Sequence, residues 1–215
     1  GVTAVLELAR RHGVKNFVFG SSSSVYGNNA KLPFSEADPV EAPISPYAAT
    51  KRAGELLCRC YHELYGMRVA CLRLFTVYGP RGRPDLAIYL FTERMFRGEE
   101  ITVFGDGESR RDFTFVQDIV DGIIAAADRA LPFEIINLGE SATVSVNELV
   151  ALIARATGCS PRLRTLPAQP GDVKATYADI SKARRLLGYA PSFPIERGIP
   201  AFVEWYRRTI LDRRG

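Results

Sequence analysis

The spacing of apolar and polar positions changes several times along the chain, and each change marks an element. Val5, Leu8 and Ala9 recur at helical spacing, and His12-Gly13 ends that stretch. Val14 to Phe19 predicts a buried strand that runs into four serines, Ser21 to Ser24. Residues 28–45 form a long polar connection with prolines at 33, 39 and 43. Ser45-Pro46 predicts a helix start, with serine as the cap and proline at the first helical position. Ala49, Ala53, Leu56, Leu57, Cys60 and Leu64 predict that helix's buried stripe, and Gly66 its end. Met67 to Phe75 (MRVACLRLF) predicts a second buried strand. Helix, strand, helix, strand in this order predicts a parallel α/β sheet.

The punctuation then changes. Residues 79–85 (GPRGRPD) read as a loop, 86–97 as a helix, and 101–111 as a strand with a glycine-rich turn. Asp118 starts another helix, and Phe133 to Leu138 is a short strand. Ser145-Val-Asn-Glu148 is a capping box opening a helix that ends at Gly158. Asp179 caps a helix ending at Gly188, and an amphipathic helix with Phe202 and Trp205 closes the chain. The expected fold class is α/β: a partial doubly wound, Rossmann-type parallel sheet over residues 1–78 and 112–140. A smaller α/β substrate-binding lobe takes 79–111 and 141–215. No GxGxxG loop follows a strand, so the phosphate-binding first half of such a fold is expected to lie outside this chain.

Composition narrows the partners. A 47% hydrophobic and 24% charged chain of 215 residues has ample material for a core. No apolar run approaches the roughly 18 residues of a membrane span, and the N-terminus lacks a signal-peptide pattern. A net charge of +4 is too small and scattered to argue for nucleic acid. Cys58, Cys60, Cys71 and Cys159 show no CxxC spacing and are expected as buried thiols of a reducing cytoplasm. His12 and His62 are isolated, so no metal site is expected.

Tyr47 and Lys51 lie four apart near a helix start, hence on one face. A lysine so placed can stabilise a tyrosinate and make the phenol a usable proton acceptor for a hydroxyl. The same spacing also suits a solvent-exposed tyrosine beside a solvated lysine.

The pieces SSSSVYG, SPYAATK, RLFTVYGPRGRPD, VFGDGESRRDFTFVQDI, QPGDVKATYADISKA and LGYAP, in this order, resemble the extended short-chain dehydrogenase/reductase family. The resemblance covers almost the whole chain and is greatest to the NAD-dependent nucleotide-sugar 4-epimerases of the UDP-glucuronate type. It implies that Tyr47 is the catalytic base and acid, with Lys51 holding the nicotinamide ribose and stabilising the tyrosine anion. It places Ser22 where a hydroxyl shares the sugar's O4 proton, Ser23 and Ser24 beside the sugar, and Phe75 beside the cofactor. Thr76 falls near the sugar or diphosphate, Arg111 at the diphosphate, and Asp172 near the nucleotide ribose. Arg83 is implied as the guanidinium that forks onto a hexuronate carboxylate. Arg83 also reads as a loop surface charge, Asp172 as a turn residue, and either Arg110 or Arg111 as the inward one. The implied reaction inverts C4 of a UDP-hexose or UDP-hexuronate through a 4-keto sugar.

Related dehydratases carry an Asp-Glu pair after this strand, and decarboxylases a glutamate where Ser24 stands. A neutral serine rim therefore favours epimerisation. The resemblance also implies a homodimer through the first helix and the 46–65 helix. Two readings remain for a chain beginning at the helix before the catalytic strand. It is a truncated form of an active epimerase, or a non-catalytic nucleotide-sugar-binding module.

Overall fold

The computed structural model describes residues 1–168 and 175–212; Gln169 and Asp172 lie outside the described residues. The chain opens with α1 (Val2–Arg11), β1 (Asn16–Ser22), a 3-10 turn over Ser23–Tyr26, and α2 (Pro46–Tyr65). Next come β2 (Arg68–Leu74), β3 (Thr76–Tyr78), α3 (Ala87–Arg97), β4 (Glu100–Phe104), β5 (Arg110–Arg111) and β6 (Phe113–Phe115). α4 (Val116–Arg129), β7 (Phe133–Leu138), β8 (Val144–Ser145) and α5 (Val146–Thr157) follow. β9 (Arg162–Leu166), α6 (Ser181–Leu187) and α7 (Ile195–Tyr206) come next, and a π-helical turn over Arg207–Leu211 completes the order.

β1, β2 and β7 form a parallel sheet with β2 in the middle. β1 extends three residues beyond its apolar run, because Gly20, Ser21 and Ser22 stay in register with Leu72, Arg73 and Leu74. Ladder pairing thus overrides the weak strand preference of serine. Side chains alternate across β2. Val69 and Cys71 pack with Leu6, Ala9, Phe19 and Cys58 under α1 and α2. Ala70 and Leu72 face the opposite layer, with Tyr26, Phe34, Ile119, Ile136 and Leu138. A third cluster joins Tyr78, Ile88, Phe91, Ile101, Phe113, Leu149, Ile153, Phe202 and Tyr206 from α3, β3, β4, β6, α5 and α7. β4 pairs with β9 and β3 with β6, both parallel. Ala183 and Leu187 of α6 pack in the cluster that holds Ala70, Leu72, Ile136 and Leu138 of the sheet.

The boundaries of α2 follow its sequence signals. Ser45 Oγ accepts from the Ala48 N–H at 3.1 Å, Pro46 begins the helix, and Gly66 ends it at φ +65°. Its expected buried stripe is not the buried one. Ala49, Ala53, Leu56, Cys60 and Leu64 face outward, with Leu56 52% and Leu64 70% exposed. The face against the sheet is Ala48, Gly54, Glu55 and Cys58. Gly54 permits the close approach, since a Cβ there would lie 2.3 Å from the Phe19 ring. Cys60 is exposed and Cys159 half-buried, whereas Cys58 and Cys71 are buried; all four are free. Cys60 thus corrects the expectation of four buried thiols, because it shares the outward stripe.

Candidate active site

The end of β1 meets the start of α2. Lys51 Nζ donates to the Gly20 carbonyl at 2.7 Å, and lies 5.6 Å from the Tyr47 ring centroid and 5.5 Å from that of Phe19. Tyr47 is 54% exposed, so its phenol stands open to a ligand while its neighbour is anchored to the sheet. Two residues beyond Gly20, Ser22 Oγ accepts from the Ser24 N–H at 3.2 Å and hydrogen-bonds Ser24 Oγ at 3.1 Å. It therefore caps the 3-10 turn that presents Ser23 and Ser24.

Those two serines border a groove of ≈ 310 Å³, together with Thr76, Arg111, Gly27 and Ser45. Phe34, Ile44 and Thr176 complete its wall. Four residues expected at the substrate, Ser23, Ser24, Thr76 and Arg111, are thus brought to one place. Thr176 was not anticipated; it arrives from the far end of the chain, and its N–H donates to the Arg110 carbonyl at 3.1 Å. Strand alternation sends the paired arginines to different sides. Arg110 turns away, bonding Thr143 and pairing with Glu148 at 3.0 Å, while Arg111 lines the groove.

The groove wall is tied to the sheet. Phe34 N–H donates to Tyr177 O at 2.7 Å, and Asp179 N–H to Phe34 O at 3.0 Å. Asn137 on β7 reaches Phe34 O and Asp179 O, and accepts from Tyr26 Oη at 2.7 Å. Burial pushes the Tyr26 phenol up to about 12, despite Arg73 nearby.

Arg83 lies outside this groove. It pairs with Asp85, the two side chains being 74% and 60% exposed, and that pairing raises its already high pKa. Phe75 is 4% exposed and packs its ring on Tyr26 and Phe34, so any contact it makes with a cofactor falls to its backbone. Asp172 lies outside the described residues. A larger groove, ≈ 550 Å³, follows the β7 edge past Arg59, Glu134 and Lys182. Lys182 is paired there with Glu134 at 2.6 Å, and none of the expected site residues reaches it.

A parallel sheet whose strand end meets a Tyr-x-x-x-Lys helix beside a hydroxyl-lined groove defines an extended short-chain dehydrogenase/reductase. The chain belongs to the NAD dependent epimerase/dehydratase family, which matches residues 1–139. It is 43% identical over 211 residues to the UDP-glucuronate 4-epimerase of Thermodesulfobacterium geofontis, covering 98% of this chain and 65% of that protein. An uncharacterized protein of Methanocaldococcus jannaschii is 46% identical over 96% of this chain and 63% of its own length. This chain therefore spans slightly less than two thirds of these relatives. Among solved structures, UDP-glucuronic acid 4-epimerase from Bacillus cereus, in complex with UDP-glucuronic acid and NAD, superposes with a TM-score of 0.88. It is 35% identical, over 96% of this chain and 66% of that one. UDP-N-acetylglucosamine 4-epimerase from Methanobrevibacter ruminantium, in complex with UDP-N-acetylmuramic acid, gives 0.91 at 30% identity, over 97% and 68%. No helix among the described residues is long and apolar enough to cross a membrane.

Proposed function

We propose that this chain carries the acid–base and sugar-binding part of an NAD-dependent enzyme that inverts C4 of a UDP-hexuronate or UDP-hexose. The observation that carries the reading is the groove. Ser23, Ser24 and Thr76 offer hydroxyls and Arg111 a guanidinium, beside a strand end that Lys51 fixes against Tyr47. Hydroxyls suit a sugar, and a guanidinium suits a diphosphate.

Tyr47 takes the proton from O4 and later returns it, with Lys51 stabilising the phenolate. Ser22 relays or shares that proton from the turn it caps. The chemistry a bound NAD supplies is reversible hydride exchange with C4, through a 4-keto sugar. Tyr47 and Lys51 fit its nicotinamide-ribose end: Lys51 is partly exposed and its donor geometry is fixed by Gly20. Elimination of water calls for a carboxyl acid and base, and the described groove lining carries none. Arg83, in the loop after β3, is the cation for a hexuronate carboxylate, and Asp172 the partner of the nucleotide ribose. A cytoplasmic homodimer is part of the same reading. Val5 and Leu8 of α1, and Leu56 and Leu64 of α2, supply the exposed apolar surface such a contact buries.

The test is to incubate the protein containing this chain, with NAD, and UDP-glucuronate, UDP-glucose or their C4 epimers. Interconversion of the uronates is the expected outcome. UDP-sugar binding by calorimetry without turnover in that protein would favour the binding-module reading.

A further inference from the structure

The side of α2 that carries Tyr47 and Lys51 continues, one turn further on, to a fully buried carboxylate. Glu55 is 1% exposed. Its Oε1 accepts from Ser21 Oγ at 2.7 Å and from Arg73 Nε at 2.9 Å. Its Oε2 accepts from Arg73 Nη2 at 2.9 Å and from Arg52 Nη1 at 3.1 Å. Ser21 and Arg73 are direct partners in the register of β1 and β2, so one carboxylate grips two adjacent strands. Lys51 grips the same strand one residue earlier, at Gly20 O.

An apolar cluster could hold α2 to the sheet at least as firmly, because desolvating an ion pair offsets most of its attraction. What hydrophobic contact lacks is direction. A guanidinium fork fixes both carboxylate oxygens in one plane, and Ser21 is bonded to one of them. The two rungs, Lys51 to Gly20 and Glu55 to Ser21, immediately precede Ser22 in the chain.

We infer that Glu55 and Ser21 are positioning residues, which set the place of Ser22 relative to Tyr47 and Lys51 through the Arg73-anchored carboxylate. The inference rests on the reading in which Tyr47 and Ser22 handle the O4 proton. A displacement of about an ångström at a reacting group can cost on the order of a hundredfold in rate.

Two variants separate positioning from stability, measured in the protein containing this chain with NAD and UDP-glucuronate. Ser21→Ala removes the bond to β1 and leaves the Glu55–Arg73 pair intact. It is expected to keep Tm close to wild type, lower kcat about tenfold or more, and leave KM within about twofold. Glu55→Gln can keep an oxygen toward Ser21 and Arg73 Nε, while its amide nitrogen faces the donors of Arg73 and Arg52. It is expected to lose more stability than Ser21→Ala and less kcat. A kcat for Ser21→Ala within twofold of wild type overturns the inference, as does a kcat that merely follows Tm across both variants. Amide hydrogen exchange over residues 20–24 gives a readout independent of turnover. Faster exchange there in Ser21→Ala is expected, and unchanged exchange overturns the inference. Absence of turnover in the wild type strikes the proposed function instead.

Discussion

Lys51 Nζ is 2.7 Å from the carbonyl oxygen of Gly20, so the cation beside Tyr47 is held by backbone rather than by a carboxylate. A carbonyl orients the ammonium without neutralising it, which leaves the full positive charge for a phenolate. Lys51→Met keeps the length of the stem and removes the charge. The expected result is a kcat about a hundredfold lower in the UDP-glucuronate assay, with the fold retained by circular dichroism. A kcat near wild type would remove Lys51 from the acid–base role.

Arg83 is paired with Asp85 at the surface, and the proposed carboxylate contact would have to replace that pair. An exposed pair of this kind is weakly held, so a substrate carboxylate could displace Asp85 readily. Arg83→Ala is expected to raise KM for UDP-glucuronate about tenfold or more, and to leave UDP-glucose kinetics within about twofold. Equal effects on both sugars would refute a carboxylate contact.

Gly54 lets α2 lie on Phe19, where an added methyl group would meet three ring atoms at 2.3, 2.8 and 3.1 Å. Alanine favours the helix by up to about 1 kcal/mol, but overpacking costs about 1–3 kcal/mol. The clash wins. Gly54→Ala is expected to lower Tm by a few degrees and to lower kcat with it, as Phe19 and the Lys51 anchor move apart. Thermal melts and steady-state kinetics on the same preparation decide it.

Glu140 carries a buried, unpartnered Oε2, and burial followed by Asp118, Asp112 and Glu196 pushes its pKa up to about 7 from 4.5. Between those values the folded chain keeps a proton that the unfolded chain releases, so stability falls as pH rises. The contribution is complete below pH 4.5 and lost through pH 7. Urea midpoints at pH 5 and pH 8 should show this fall in wild type and a smaller one in Glu140→Gln. Identical slopes in both proteins would contradict the assignment.

The outward stripe of α2 gives a test of association. Leu56 and Leu64 are 52% and 70% exposed, and Val5 and Leu8 on α1 are 53% and 57% exposed. Leu56→Asp should convert a dimer to monomer in analytical ultracentrifugation while leaving the monomer's melting temperature nearly unchanged. A wild-type monomer at micromolar concentration would refute the contact.

That same stripe shows where the sequence misled. Ala49, Ala53, Leu56, Cys60 and Leu64 have the hydropathy of a core face, yet they point outward. The buried face contains a glycine and a glutamate, and Glu55 is acceptable there because Arg73 and Ser21 arrive from the sheet and Arg52 from its own helix. Local periodicity carries no information about such a partner. Signals that act within a few residues were legible: Ser45-Pro46, the Ser145–Glu148 capping box, and the strand Phe133–Leu138. β9 (RLRTL) was missed because it is largely exposed and polar, and only its pairing with β4 defines it. Ser23, Ser24, Thr76 and Arg111, which motif order places together, share one groove lining. Thr176 was not legible in the sequence, because its place depends on closure of the chain onto Phe34.

That closure bears on the order in which the molecule is made. Asn137 and Phe34 are 103 residues apart in sequence, and Tyr177 and Asp179 are further still from Phe34. Loop-closure entropy must be met before such contacts stabilise anything, whereas helices and the pairing of β1 with β2 form over shorter separations. The groove is therefore expected to assemble after β1 and β2 have paired. In refolding followed by pulse-labelled hydrogen exchange, β1 and β2 amides should become protected before those of Phe34 and Asp179. A newly made chain would then show its helices well before the groove took shape.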